Sequence, residues 1–189
     1  ELTKYAKFST VYREAIFSGS ELFQMWSAFA GLYPTMSKKD IDKTSADYKK
    51  YEKALENLPA RFDKFFKDYN VEVDKKVTAA LFEYFYNQTT PDQRPEFFNK
   101  AVEKYKMDFT KMTEDMFKKS ILHNQEALIK FVKNPNAKVL DKDPIFQCFD
   151  KLYDFYFEKM KPTEELYSNL ARANRLFVKG IMEMQPDKL

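Results

Sequence analysis

Catalysis by side chains needs a nucleophile, a base or a set of metal ligands, and this chain offers one histidine and one cysteine for such work. His123 stands alone. A histidine acid–base pair, a nucleophile triad and a multi-histidine metal site all need partners that the composition lacks. It follows Ile121-Leu122 and precedes Asn124, a helix-capping residue type, so it reads as a structural or surface histidine. Cys148 lies between Gln147 and Phe149 in an apolar stretch. A Cys–His dyad with His123 is conceivable, but a small buried hydrophobe is the better reading.

The tightest carboxylate pairs are Glu164-Glu165, Asp40/Asp42 and Asp141/Asp143. Both Asp-x-Asp pairs fall in expected loops. Neither continues into a calcium loop, which needs a glycine and a later glutamate at fixed spacing. They read as solvated or capping acids. A carboxylate di-iron bundle needs two Glu-x-x-His motifs, and one histidine cannot supply them. The lysine pairs Lys38-Lys39, Lys49-Lys50, Lys75-Lys76 and Lys118-Lys119 each have acids close by, the pattern of a solvated helix surface rather than a nucleic-acid face. No catalytic, cofactor-binding or metal-ligating residue is therefore assigned, and no cofactor or nucleic-acid partner is expected.

The elements that would position any site are helical. Three glycines in 189 residues cannot serve a fold rich in tight turns, which disfavours sandwiches, barrels and Gly-loop nucleotide folds. The net charge is 32 − 29 = +3, so charge-driven disorder is a poor reading. Aromatic residues make up 17%, ample material for a core and enough to line a cleft or pack on another domain. One cysteine excludes an internal disulfide without excluding export. No apolar run approaches a membrane span or a signal-peptide core. The start at Glu1-Leu2-Thr3-Lys4, without an initiator methionine, suggests a processed protein or an excised piece.

Apolar residues at three- and four-residue steps predict one long helix over 2–32, with Gly19 tolerated inside and Gly31 and Pro34 ending it. The stretch 35–44 reads as a loop, with a helical turn near Ser37. A second helix starts at Thr44 or Ser45 and meets Pro59. Asn70 is the next boundary, and Val73, Val77, Ala80, Leu81, Tyr84 and Phe85 mark the third helix. Thr90-Pro91-Asp92 is a cap with proline at the first helical position. Short helices follow around Phe98, around Met112 and after Asn124, the last ending at Asn134-Pro135-Asn136. Asp143-Pro144 caps a long helix, Lys161-Pro162-Thr163 punctuates it, and a final helix runs from Thr163 to Met184, where Pro186 stops it. The expected class is all-α: a single bundle-like domain over 1–189 with long antiparallel helices and several short ones. From these features alone the function stops at a helical interaction or cover domain.

The run from Arg175 to Lys188, with Gly180-Ile181-Met182-Glu183-Met184-Gln185-Pro186, resembles a segment of the bacterial dipeptidyl-peptidase 7 and 11 family. Those are chymotrypsin-like serine exopeptidases with a large helical insertion, and Ile181 stands where that family is expected to carry leucine. Tyr12-Arg13-Glu14-Ala15 with Gly19 and Glu21-Leu22, the stretch from Tyr69 to Leu81, Pro91-Asp92-Gln93-Arg94-Pro95, and Asp143-Pro144 resemble further family segments in collinear order. The resemblance implies a piece of the helical domain, cut from its parent. The family's catalytic His and Asp would lie upstream, with an Asn that holds the substrate amino terminus. The Ser would lie downstream, so none of these maps onto this chain. It further implies a periplasmic parent that removes dipeptides from free N-termini. Its β-barrel catalytic domain would be the partner, and this piece would gate the cleft. The alternative is a stand-alone helical interaction or ligand-binding domain. Flanking coding sequence separates the two.

Overall fold

A computed structural model describes residues 2–38 and 40–184. Within them the chain is all-α, with ten α-helices and no strand. In order these are α1 (Leu2–Tyr12), α2 (Leu22–Ala30), α3 (Tyr33–Met36), α4 (Ala46–Phe66), α5 (Val71–Gln88), α6 (Glu96–Lys104), α7 (Phe109–Lys119), α8 (Gln125–Lys133), α9 (Ala137–Leu140) and α10 (Pro144–Met184). A π-helical turn, Arg13–Phe17, follows α1, and a 3-10 turn, Pro91–Gln93, precedes α6.

Several helix starts are set by local side-chain acceptors, at the capping residues the sequence pattern predicts. Ser45 Oγ accepts the Tyr48 N–H at 3.1 Å. Asn70 Oδ1 accepts from Glu72 and Val73, and Asn124 Oδ1 from Ala127. Thr90 and Gln93 close a reciprocal capping box around Pro91. Asp143 Oδ1 accepts both the Ile145 and Phe146 N–H groups at 3.0 Å, while Oδ2 accepts from Ser120 Oγ and the Ile121 N–H. One carboxylate thus starts α10 and anchors the α7–α8 turn.

Four local expectations are corrected. The first helix does not run through to Leu32. It ends in the π-turn, breaks at 18–21 and restarts as α2. Asp74, from α5, supplies the acceptor for that restart: its Oδ1 takes the Glu21 N–H at 3.2 Å. The loop does not begin at Thr35, because α3 takes in Thr35 and Met36 and Ser37 closes it, its N–H bonded to the Tyr33 and Thr35 carbonyls. Pro162 does not divide the last helix, because α10 continues through it for 41 residues. Pro162 lies on the exposed side, as does Pro59 inside α4. There water can serve the carbonyl that each ring frees four residues earlier. Finally, α5 is rotated from its apolar stripe. Val73, Val77 and Tyr84 are exposed, while Asp74, Thr78, Phe82 and Phe85 face inward.

The core runs as one contiguous cluster from Phe8 in α1 to Leu152 in α10. Edge-on aromatic pairs recur in it. Tyr12 meets Phe85 edge-on at 4.8 Å, Phe29 meets Phe131 at 5.5 Å, and Phe98 meets both Phe82 and Phe85. α1 lies antiparallel to α10, since Phe8 stacks on Tyr156 while Phe17, further along, reaches Tyr153. The tight α6–α7 turn uses Lys106 and Met107 at positive φ (52° and 64°), where glycine is the ordinary choice.

Candidate functional site

A groove of mixed chemistry opens where the start of α1, the 3-10 turn and the middle of α10 meet. It encloses about 380 Å³ and is lined by Lys4, Tyr5, Phe8, Asp92, Gln93, Glu158, Lys159 and Pro162. Phe8 is buried and Tyr5 half-buried, so rings border a rim that carries both signs of charge. Asp92 is held below the usual carboxylate range, first by the Thr90 hydroxyl at 2.6 Å and then by the Lys159 and Lys4 charges.

The wall behind the groove is a hydrogen-bonded aromatic set. Tyr12 donates to the Gln93 carbonyl at 3.2 Å, and the Ser9 and Tyr156 hydroxyls are paired at 2.8 Å. Arg94, buried to 6% exposure, donates to the Tyr86 carbonyl and lies 3.9 Å over the Tyr86 ring. Burial pushes the Tyr12 phenol strongly up, only partly opposed by Arg94. Tyr12 is thus a neutral donor at physiological pH, not a base. The groove can seat an apolar side chain against rings and meet charged groups at its rim. It holds no paired nucleophile and base.

The residues weighed for chemistry are scattered. His123 is half-buried in the turn before α8, its ring 5.8 Å from Phe117, and its Nδ1 makes no hydrogen bond among the described residues. Burial first, and then Lys75, push its pKa down, with Asp143 opposing. Cys148 is buried in α10, and desolvation pushes its thiol up to about 12. Asp42 caps the Thr44 turn, Asp141 accepts from Tyr33, Asp143 caps α10, and Glu164-Glu165 is exposed on α10. Lys39 lies outside the described residues. Among the described residues no three His, Cys, Asp or Glu side chains gather as a metal site.

Sequence reasoning did not assemble the groove. Tyr5 and Phe8 lie in the apolar repeat of the first helix and Asp92 in a cap, and only the packing of α1 on α10 makes them neighbours. Arg94 stands between Gln93 and Pro95, and nothing local marks it as buried.

The peptidase S46 family model matches residues 1–189. The chain belongs to the peptidase S46 family. It is 28% identical over 87% of its length to dipeptidyl-peptidase 7 of Phocaeicola vulgatus, covering 23% of that protein. It is 24% identical over 71% of its length to the Asp/Glu-specific dipeptidyl-peptidase of Porphyromonas gingivalis, covering 19% of it. A third relative, dipeptidyl-peptidase 7 of Porphyromonas endodontalis, is 26% identical over 76% of the chain, with 17% of that protein covered. This S46 chain therefore spans about a fifth of the length of the relatives it matches. No described helix of it is long and apolar enough to cross a membrane.

Proposed function

We propose that residues 1–189 are a single helical cap domain of a serine-type dipeptidyl-peptidase. The parent removes dipeptides from the free N-terminus of peptides, and this region gates its cleft without catalysing. The observation that carries this reading is the family match over residues 1–189 together with the all-helical structure of the described residues, in a chain that covers 23% of the dipeptidyl-peptidase 7 it resembles. His123 and Cys148 support it, since each sits in surroundings that suit a structural role. The catalytic Ser, His and Asp then belong to the β-barrel part of the same parent chain, and the parent works in the periplasm.

The gating is steric and conformational. An exopeptidase must admit free ends and reject the middle of chains, and a rigid cover over the cleft does so by blocking continuation past the first residues. The contiguous aromatic core favours rigid-body motion, because packed interiors resist internal deformation. Pro186, expected to stop the last helix, lies outside the described residues with the rest of the connection Gln185-Pro186-Asp187. The groove beside Tyr5 and Phe8 is the surface of the cap best suited to touch a peptide.

The test compares the full parent enzyme, the same enzyme lacking this region, and the 189-residue chain alone, on peptides with free and with acetylated N-termini. The chain alone should release no dipeptide. The intact parent should cleave only free-ended peptides, and removal of the cap should admit acetylated ones. Dipeptide release by the chain alone, or a capless enzyme with unchanged end selectivity, overturns the reading.

A further inference from the structure

The outer half of α10 carries an apolar stripe on which nothing packs among the described residues. Along the whole helix, Phe149, Tyr153, Tyr156, Met160, Thr163, Tyr167, Leu170, Asn174, Phe177, Ile181 and Met184 recur in alternating steps of four and three. That mean spacing of 3.5 residues is a coiled-coil seam. Up to Thr163 the stripe belongs largely to the bundle: Phe149 and Thr163 are buried, and Tyr156 stacks on Phe8 of α1. Beyond Thr163 the same side of the same helix is bare. Tyr167 is 59% exposed, Phe177 69% and Met184 78%.

The seam specifies a helix as its partner. Beyond Thr163 one amide residue, Asn174, interrupts it at a core position, the device that fixes register between paired helices. Ala171, Ala173 and Gly180 flank it, small residues that let a second backbone approach closely. The direction of that partner is set by α1. Lys4, Tyr5 and Phe8 share the groove with Glu158, Lys159 and Pro162, while Phe17 lies by Tyr153. α1 therefore runs antiparallel along α10, and its N-terminal end abuts the base of the bare arm. A helix entering α1 from upstream would pass directly over the stripe.

We infer that the stripe from Tyr167 to Met184 is covered by a helical segment of the parent chain immediately N-terminal to Glu1, paired antiparallel with α10 as α1 is. The arm is roughly 30 Å long, so a partner of about 20 residues covers it. Family membership supplies the parent chain, whose relatives are several times longer than this region. The pairing does not depend on the gating role.

The test is hydrogen exchange of the 164–184 amides with sedimentation velocity. It uses chain 1–189, the same chain extended upstream by about 20 residues of its reading frame, and the full parent. In the extended chain these amides should exchange about 100-fold more slowly than in 1–189, in a monomer. Phe177→Asp with Ile181→Asp should abolish that protection while α2 and α5 stay protected, which excludes general unfolding. Leu176→Asp, off the stripe, should leave it intact. Fast exchange in the extended chain overturns the inference. So does protection of 1–189 through self-association, or protection that arises only in the full parent. Exchange needs no peptidase activity, so its failure and that of the proposed function are separately visible.

Discussion

Asp74 Oδ1 accepts the backbone N–H of Glu21 at 3.2 Å, so a carboxylate in the first turn of α5 caps α2 through a residue 53 positions earlier. Ser20 Oγ and the Tyr69 hydroxyl donate to the same carboxylate, and Thr78 donates on to Ser20. With Asp74 only 2% exposed, these donors stand in for the water it has lost.

Removing that acceptor should be expensive. Asp74→Ala leaves the Glu21 N–H and the Tyr69 hydroxyl without their partner, and should cost about 2 kcal/mol in urea unfolding at neutral pH. Burial pushes the Asp74 carboxyl up, and the Glu21, Tyr69, Leu22 and Ser20 donors oppose it. The folded state therefore favours the protonated form. Its contribution is fully present below the unfolded value of about 3.9 and declines as pH rises through the raised folded value. Asp74→Asn should flatten that decline. An unchanged pH slope in the Asn variant would remove Asp74 as its source.

Gly19 sits where a side chain has no room. A Cβ there would overlap Leu81 Cδ1 and come within 2.9 Å of the Glu14 carbonyl oxygen. Gly19→Ala should destabilise by about 2 kcal/mol. Adding Leu81→Ala removes the larger overlap but not the backbone one. The double variant should therefore be more stable than the sum of the two single effects. Strict additivity in thermal unfolding would show that the two sites do not touch.

His123 titrates in the opposite sense to Asp74. Burial and Lys75 depress its pKa, so the fold favours the neutral ring. Stability from this group is complete above the unfolded value of about 6.5 and falls as pH drops below it toward the folded value. His123→Gln should reduce the loss of stability between pH 6.5 and 5. If the variant matches the parent chain at each pH in denaturant titrations, His123 is not the responsible group.

Cys148 should be inert in the folded chain. Its thiol is buried and pushed up to about 12, so thiolate is scarce at pH 8. Iodoacetamide should label it only in denaturant, or at the rate at which α10 opens. Rapid labelling of the native chain, followed by mass spectrometry, would contradict the burial and reopen the nucleophile reading.

The features legible in the sequence were those decided by neighbours in sequence. Glycine scarcity and helical spacing determined the all-α class. Ser45, Asn70, Thr90, Asn124 and Asp143 marked helix starts, because a capping oxygen reaches only two or three residues along the chain. The run ending in Met182-Glu183-Met184 carried the family. What the sequence left open depends on contacts between distant segments. The break at Gly19 is held by Asp74 and Leu81, and nothing near Gly19 announces either. The face of α5 is chosen by that same network, which turns Asp74 and Thr78 inward and leaves Val73 and Val77 out. Pro162 was read as a stop, since its ring removes a helical hydrogen bond. The exposed side of α10 tolerates that loss, and the helix continues. The groove of Tyr5, Phe8, Asp92 and Lys159 exists only because α1 packs antiparallel on α10. Local hydrogen bonding writes helices into a sequence, whereas the pairing of apolar faces, set by the shape of the whole core, decides which residues meet.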